Sequence, residues 1–166
     1  LEGAIHGKAT SLGLVSGILA GLVLYAVGCL LFIPAGNARD FSFFLAAYFI
    51  MTSGLAFLET TANPYILSMG PPETAARRLN FAQAFNPVGS LMGMFVAKDF
   101  ILGRLDPADE TARRAMAESA PEAFQKIQIA DLAVIVGPYA ILGGVVLLAM
   151  VAFALAKLPD STSTES

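Results

Sequence analysis

The chain has 166 residues and a net charge of -3; 56% of its residues are hydrophobic and only 14% are charged. Its mean hydropathy is +0.68, and soluble domains of this size need far more polar surface. Composition therefore places the chain in the membrane class and excludes a basic nucleic-acid-binding footprint. With Cys29 the only cysteine and one histidine, an internal disulfide is excluded and a zinc site of usual ligand type is not expected.

The first residue is Leu, and no charged segment with a cleavage site precedes the first apolar run. No signal peptide is read, and the chain is expected to be a piece of a longer reading frame. Four apolar segments follow, each near the ~20 residues that a spanning helix needs. The first runs from 12 to 35. It carries Gly13, Gly17 and Gly21 at four-residue spacing, with Gly28 further on. These lie along one face and predict a seam of close helix approach. The tight polar turn GNARD, residues 36–40, leads to the second segment.

The second segment is expected to span 41–69. It contains FLETTANPYILSM, residues 57–69, which places Glu59 inside an apolar stretch. A helix ending at Leu58 would strand the apolar Tyr65 to Met69 on a loop. A helix running to Met69 is about 43 Å long, enough to cross a bilayer at a tilt, and it ends at the stop signal Gly70-Pro71-Pro72. Pro64 removes one backbone bond within it, and Thr60 and Thr61 are expected to satisfy the freed carbonyl. Glu59 and Asn63 then share a helix face. A carboxylate at membrane depth costs about 2.5–3.5 kcal/mol on insertion scales, so it reads as functional.

The third segment, 79–102, is polar in its first half. Asn80, Gln83, Asn86 and Ser90 fall on about a third of the helix circumference. Amides both donate and accept, as sugar hydroxyls do, so this face is suited to lining a polar cavity. Phe81 and Phe85 lie near it and are suited to stacking on a sugar ring, although lipid or core contact is the commoner role. Gly89 and Gly93 suggest a second, weaker seam. Residues 103–131 form a charged connection in which Asp109 to Ala117 is expected to make a short surface helix. The fourth segment covers 132–158, with Gly137-Pro138 and Gly143-Gly144 as bending points, and 160–166 is a polar tail.

Lys8, Arg77, Arg78 and Lys157 fall on one membrane side, and Arg39, Arg104, Arg113, Arg114 and Lys126 on the other. The positive-inside rule is nearly balanced between them, with a slight lean to a cytoplasmic 70–78 loop. Enzyme chemistry finds no motif: there is no Walker loop, no zinc-protease or nucleophile-elbow signature and no paired His/Asp set. A carboxyl in a cavity that opens alternately to two sides can load and release a proton, which is what proton-coupled transport requires.

Residues 54–90, GLAFLETTANPYILSMGPPETAARRLNFAQAFNPVGS, resemble the L-fucose permease branch of the major facilitator superfamily, whose members are fucose, glucose and galactose proton symporters. The pattern G-x-x-x-L-E-T-x-A-N-P is met by Gly54, Leu58, Glu59, Thr60, Ala62, Asn63 and Pro64. Gly70 and Pro71 meet the following loop, and R-L-N-x-A-Q-x-F-N is met by Arg78, Leu79, Asn80, Ala82, Gln83, Phe85 and Asn86. The resemblance extends from about residue 12 to about 159. It implies an all-α, multi-pass protein of the cell (inner) membrane, with four transmembrane helices corresponding to helices three to six of twelve, a partial N-terminal half.

The resemblance further implies that Glu59 couples the proton and helps to recognise the sugar, and that Gln83 and Asn86 line the cavity. Asn63 and Asn80 join them as expected sugar contacts. The implied partners are a monosaccharide, a proton, the lipid bilayer and the missing transporter helices, with no metal, cofactor or nucleic acid. Residues 70–78 would be cytoplasmic and 103–131 external. Within these 166 residues the family's first-helix aspartate has no counterpart, the second helix is at most residues 1–11, and the C-terminal half is not included. This chain is therefore not expected to transport alone, and a self-contained four-helix membrane scaffold is the competing reading.

Overall fold

The computed structural model describes residues 2–156. The expected tail at 160–166, the end of the expected fourth span and the side chains of residues 2–11, Lys8 among them, lie outside the description, as does Lys157. The described chain is helical almost throughout: α1 (Glu2–Ala38), α2 (Phe41–Ser68), a 3₁₀ turn (Pro72–Thr74), α3 (Ala75–Gln83), α4 (Phe85–Phe95), a π-helical segment (Val96–Leu102), α5 (Glu110–Ser119) and α6 (Pro121–Leu155). Among the described residues, three helices are long and apolar enough to cross a membrane: Leu12–Ala38, Phe41–Ser68 and Pro121–Leu155.

The α1–α2 hairpin turns on two residues rather than five. Helix α1 runs on through Gly36 and Asn37 to Ala38, and Arg39 then takes φ 55°. Its N–H still reaches the Ala35 carbonyl at 3.0 Å. Asp40 caps α2, accepting from the Ser42 N–H at 2.7 Å. A side-chain oxygen at this position takes up one of the donors that a helix start leaves free.

Helices in lipid gain little from apolar burial against one another, so close backbone approach and shape decide their packing. Here glycine supplies that approach. A Cβ placed on Gly21 would stand 3.0 Å from the Leu58 nitrogen and 3.1 Å from the Gly54 carbonyl oxygen. One on Gly17 would collide with Thr61, and one on Gly28 would meet the Met51 backbone. Gly13 has open space around it, so the seam predicted from the first span begins at Gly17, and α2 contributes Gly54 to it. Gly89 and Gly93 also face open space, and neither makes a seam.

Helix α6 packs on α1, antiparallel to it and parallel to α2. Gly143 meets Cys29 and Leu30, Gly36 meets Val136, and Tyr65 of α2 meets Phe153 edge-on. The centre is aromatic: Phe32 stacks on Tyr139 with centroids 4.0 Å apart and meets Phe44 edge-on at 5.8 Å. Buried Cys29, Ala47 and Met51 complete it.

The expected third span is helical but not continuous. Pro87 has no N–H to give the Gln83 carbonyl, and its ring crowds that oxygen. The α-helix accordingly stops at Gln83 and resumes at Phe85, with the Ala84 N–H shared between the Asn80 and Phe81 carbonyls at 3.0 and 3.3 Å. Further on, residues 96–102 widen into π geometry, with the Gly103 N–H reaching back five residues to the Lys98 carbonyl at 3.0 Å. No uninterrupted piece is long enough to span, so three unbroken long helices and one interrupted helical segment stand where four spans were expected.

Candidate functional site

Helix α2 turns one face to α1 through Met51, Gly54, Leu58 and Thr61, and Tyr65 further along meets Phe153 of α6. Glu59 and Asn63 lie more than 100° round from that seam by helical spacing. Glu59 is exposed and Asn63 half-buried. The long helix expected from the sequence is present, ending at Ser68. The threonines behave otherwise than expected. Thr60 donates to the Ala56 and Phe57 carbonyls at 2.9 and 3.0 Å, and Thr61 to Phe57 at 2.6 Å. Both hydroxyls therefore bond backwards along the helix, as is usual for Thr in a helix. Neither serves the Thr60 carbonyl, which is the one Pro64 leaves without a helical donor.

The amides stand on the elbow that follows. Asn80 and Gln83 lie on α3, which packs against the C-terminal end of α2, and Asn86 and Ser90 lie on α4. All four are exposed. Phe81 and Phe85 are exposed too and meet edge-on with centroids 5.6 Å apart. No hydrogen bond joins Glu59, Asn63, Asn80, Gln83 and Asn86 to one another among the described residues. Four of the five are exposed, and Asn63 is half-buried. No group of His, Cys, Asp and Glu suited to a metal ion is found among the described residues.

Three features were missed by sequence reasoning. Arg78 folds back over the end of α2. Its Nε donates to the Ile66 carbonyl at 3.2 Å, Nη2 to Leu67 at 2.9 Å and Gly70 at 3.2 Å, and Nη1 to Pro71 at 3.1 Å and to the Thr74 hydroxyl at 2.6 Å. Arg78 stands ten residues beyond the end of α2 and within α3, so its position in the sequence gave no cue. Second, Asp131 on α6 is buried; it accepts from Arg113 at 2.6 Å and from the Asp106 N–H at 2.9 Å. The pair fastens the 103–120 connection onto α6. Its partners are 18 residues apart, so spacing gave no cue. Third, Lys98 and Asp99 sit in the π segment, within the expected third span, and both are exposed.

Comparison with known proteins identifies the class. No family model matches. The crystal structure of the Escherichia coli fucose:proton symporter aligns with a TM-score of 0.77 and 27% identity, over 96% of this chain and 40% of that one. The chain is thus an all-helical piece with the fold of a major facilitator transporter. The L-fucose-proton symporter of Haemophilus influenzae is 50% identical over 146 residues, 87% of this chain and 34% of that protein. The E. coli L-fucose-proton symporter is 33% identical over 144 residues. The glucose/galactose transporter of Brucella abortus is 43% identical over 96 residues, 58% of this chain. This chain is homologous to one part of the L-fucose-proton symporter and glucose/galactose transporter group. It spans about a third of the length of the fucose symporters it matches. These relatives are transporters, not enzymes.

Proposed function

We propose that the chain supplies part of the N-terminal helical bundle of a proton-coupled sugar symporter in the cell membrane. Such transporters work by rocking two halves around a site near the membrane midplane. Glu59 takes up a proton from one side and releases it to the other. Asn63, Asn80, Gln83 and Asn86 exchange hydrogen bonds with hydroxyls of a fucose-, glucose- or galactose-type sugar, each amide matching a hydroxyl as both donor and acceptor. Residues 70–78 lie in the cytoplasm and 103–131 outside.

The observation that carries this reading is the 50% identity to an L-fucose-proton symporter over 146 residues. A match of that length in a chain of 166 residues necessarily includes the stretch from Glu59 to Asn86. The open placement of the polar set supports it as well. Glu59, Asn80, Gln83 and Asn86 are exposed, and further helices can enclose a cavity there.

The test is uptake of labelled fucose, glucose and galactose by cells that express the gene encoding this chain, with and without an imposed pH gradient. Glu59→Gln is expected to abolish pH-driven accumulation while leaving membrane insertion intact. Uphill uptake at the normal rate in that variant would overturn the assignment of Glu59. A wild type that inserts but moves none of the three sugars would favour a scaffold.

A further inference from the structure

We infer that Arg78 is a positioning residue for the sugar site: it locks the elbow between α2 and α3, and so sets how the Glu59–Asn63 face meets the Gln83–Asn86 face. The inference rests on the transport reading above and adds a residue that touches neither sugar nor proton.

The geometry is specific. A guanidinium has five N–H donors in a rigid planar fork. Every one of the five nitrogen-bound hydrogens has an acceptor here: the carbonyls of Ile66, Leu67, Gly70 and Pro71 and the Thr74 hydroxyl. Ile66 and Leu67 belong to the last turn of α2, whose final carbonyls lack the usual donor four residues on; the Ile66 carbonyl also accepts the Met69 N–H at 3.4 Å. Gly70 and Pro71 form the bend, and Thr74 is the residue immediately before α3. Arg78 itself lies in the first turns of α3. One planar group thus ties the end of α2, the bend and the start of α3 into a single unit. Gly70 makes the space for it, since a Cβ there would lie 3.1 Å from Arg78 Nη1.

The elbow matters because it joins the two polar faces within the described residues. Helix α4 is exposed along its whole length, and Gly89 and Gly93 face open space. The angle at which α3 leaves α2 therefore governs where Gln83 and Asn86 stand relative to Glu59. Lysine keeps the charge but is a point donor without the fork, so it cannot reach four carbonyls and a hydroxyl together.

Two readouts test this, both on the full product of the encoding gene in lipid membranes. The first is the distance distribution between spin labels at Phe57 on α2 and Val88 on α4, both exposed, in a background with Cys29 and any other cysteine of the full product replaced. Wild type is expected to give one narrow distribution, and Arg78→Gln and Arg78→Lys broad ones. The second is sugar uptake. Both variants are expected to raise the apparent KM about two- to thirtyfold, the range typical of residues that act on a site through others, with insertion unchanged. Wild-type label distances in Arg78→Gln, or full rescue of distance and KM by lysine, would overturn the inference. The distance measurement needs no transport, so it separates failure of this inference from failure of the transport reading. Thr74→Val, which removes one acceptor and leaves the arginine, is expected to broaden the distances less, and the same broadening as Arg78→Gln would count against the fork.

Discussion

Gly21 and Gly54 meet backbone to backbone where α1 crosses α2. A Cβ on Gly21 would stand 3.1 Å from the Gly54 carbonyl oxygen, and one on Gly54 would stand 2.8 Å from the Gly21 carbonyl oxygen. Each glycine makes room for the other's main chain, and no rotamer change can relieve a clash with a carbonyl. Gly54→Ala and Gly21→Ala are each expected to lower stability by about 1–3 kcal/mol, the usual range for overpacking. Gly13→Ala, in open space, is expected to be neutral or slightly stabilising, because alanine is the better helix former. Thermal unfolding in detergent checks all three, and equal losses at Gly13 and Gly54 would refute the seam.

The hairpin turn carries strain at Arg39, whose φ is 55°. A left-handed conformation costs a residue with a Cβ roughly 1–2 kcal/mol. Glycine escapes that cost but loses more chain entropy on folding. Arg39→Gly is expected to raise stability by about 0.5–1 kcal/mol, the difference between these effects. A lower midpoint in the same unfolding assay would show that the arginine side chain holds the turn by contacts that outweigh its strain.

Asp131 joins α6 to the connection that precedes it, through Arg113 and the Asp106 N–H. The two side chains are 13% and 29% exposed, so water only partly screens the pair. Asp131→Asn is expected to destabilise by about 1.5–3 kcal/mol, the range for hydrogen bonds to charged groups. It should also speed proteolysis within 103–120. An unchanged cleavage rate would mean that α5 is held by other contacts.

Pro87 divides the expected third span. Pro87→Ala restores an N–H for the Gln83 carbonyl and is expected to join α3 and α4 into one helix. The gain should approach the ~3 kcal/mol that proline costs inside a helix. Hydrogen exchange would show the amide at 87 newly protected. Because joining the helices rotates Asn86 relative to Gln83, sugar uptake is expected to fall even as stability rises. Increased stability with unchanged uptake would separate the break from the site.

Much of this molecule could be read before any coordinates. The boundaries of α2 followed from an apolar run bracketed by the polar turn at 36–40 and by Gly70-Pro71-Pro72, because turn and stop signals are local chemistry. The charged connection likewise showed its short helix, expected over Asp109 to Ala117 and found over Glu110–Ser119 with Asp109 as its cap. Glu59, Asn63 and the amides were legible as a polar set because polar groups are conspicuous in an apolar background. Pro87 was in plain view as well, but its consequence competes with an otherwise helical pattern over 79–102, and the apolar run concealed the break.

Sequence alone determined which segments are apolar enough for lipid, where α2 begins and ends, and which polar residues stand out; α1 and α6 begin about ten residues before their expected spans. Each of these depends on neighbours along the chain. Tertiary structure decided which glycines touch, that Gly13 does not and Gly54 does, that Arg78 closes the end of α2, and that Arg113 finds Asp131. Those are contacts between residues distant in sequence, or between helix faces whose rotation only packing sets. Helical periodicity says which residues share a face, but the partner of that face is chosen by how closely two backbones can approach.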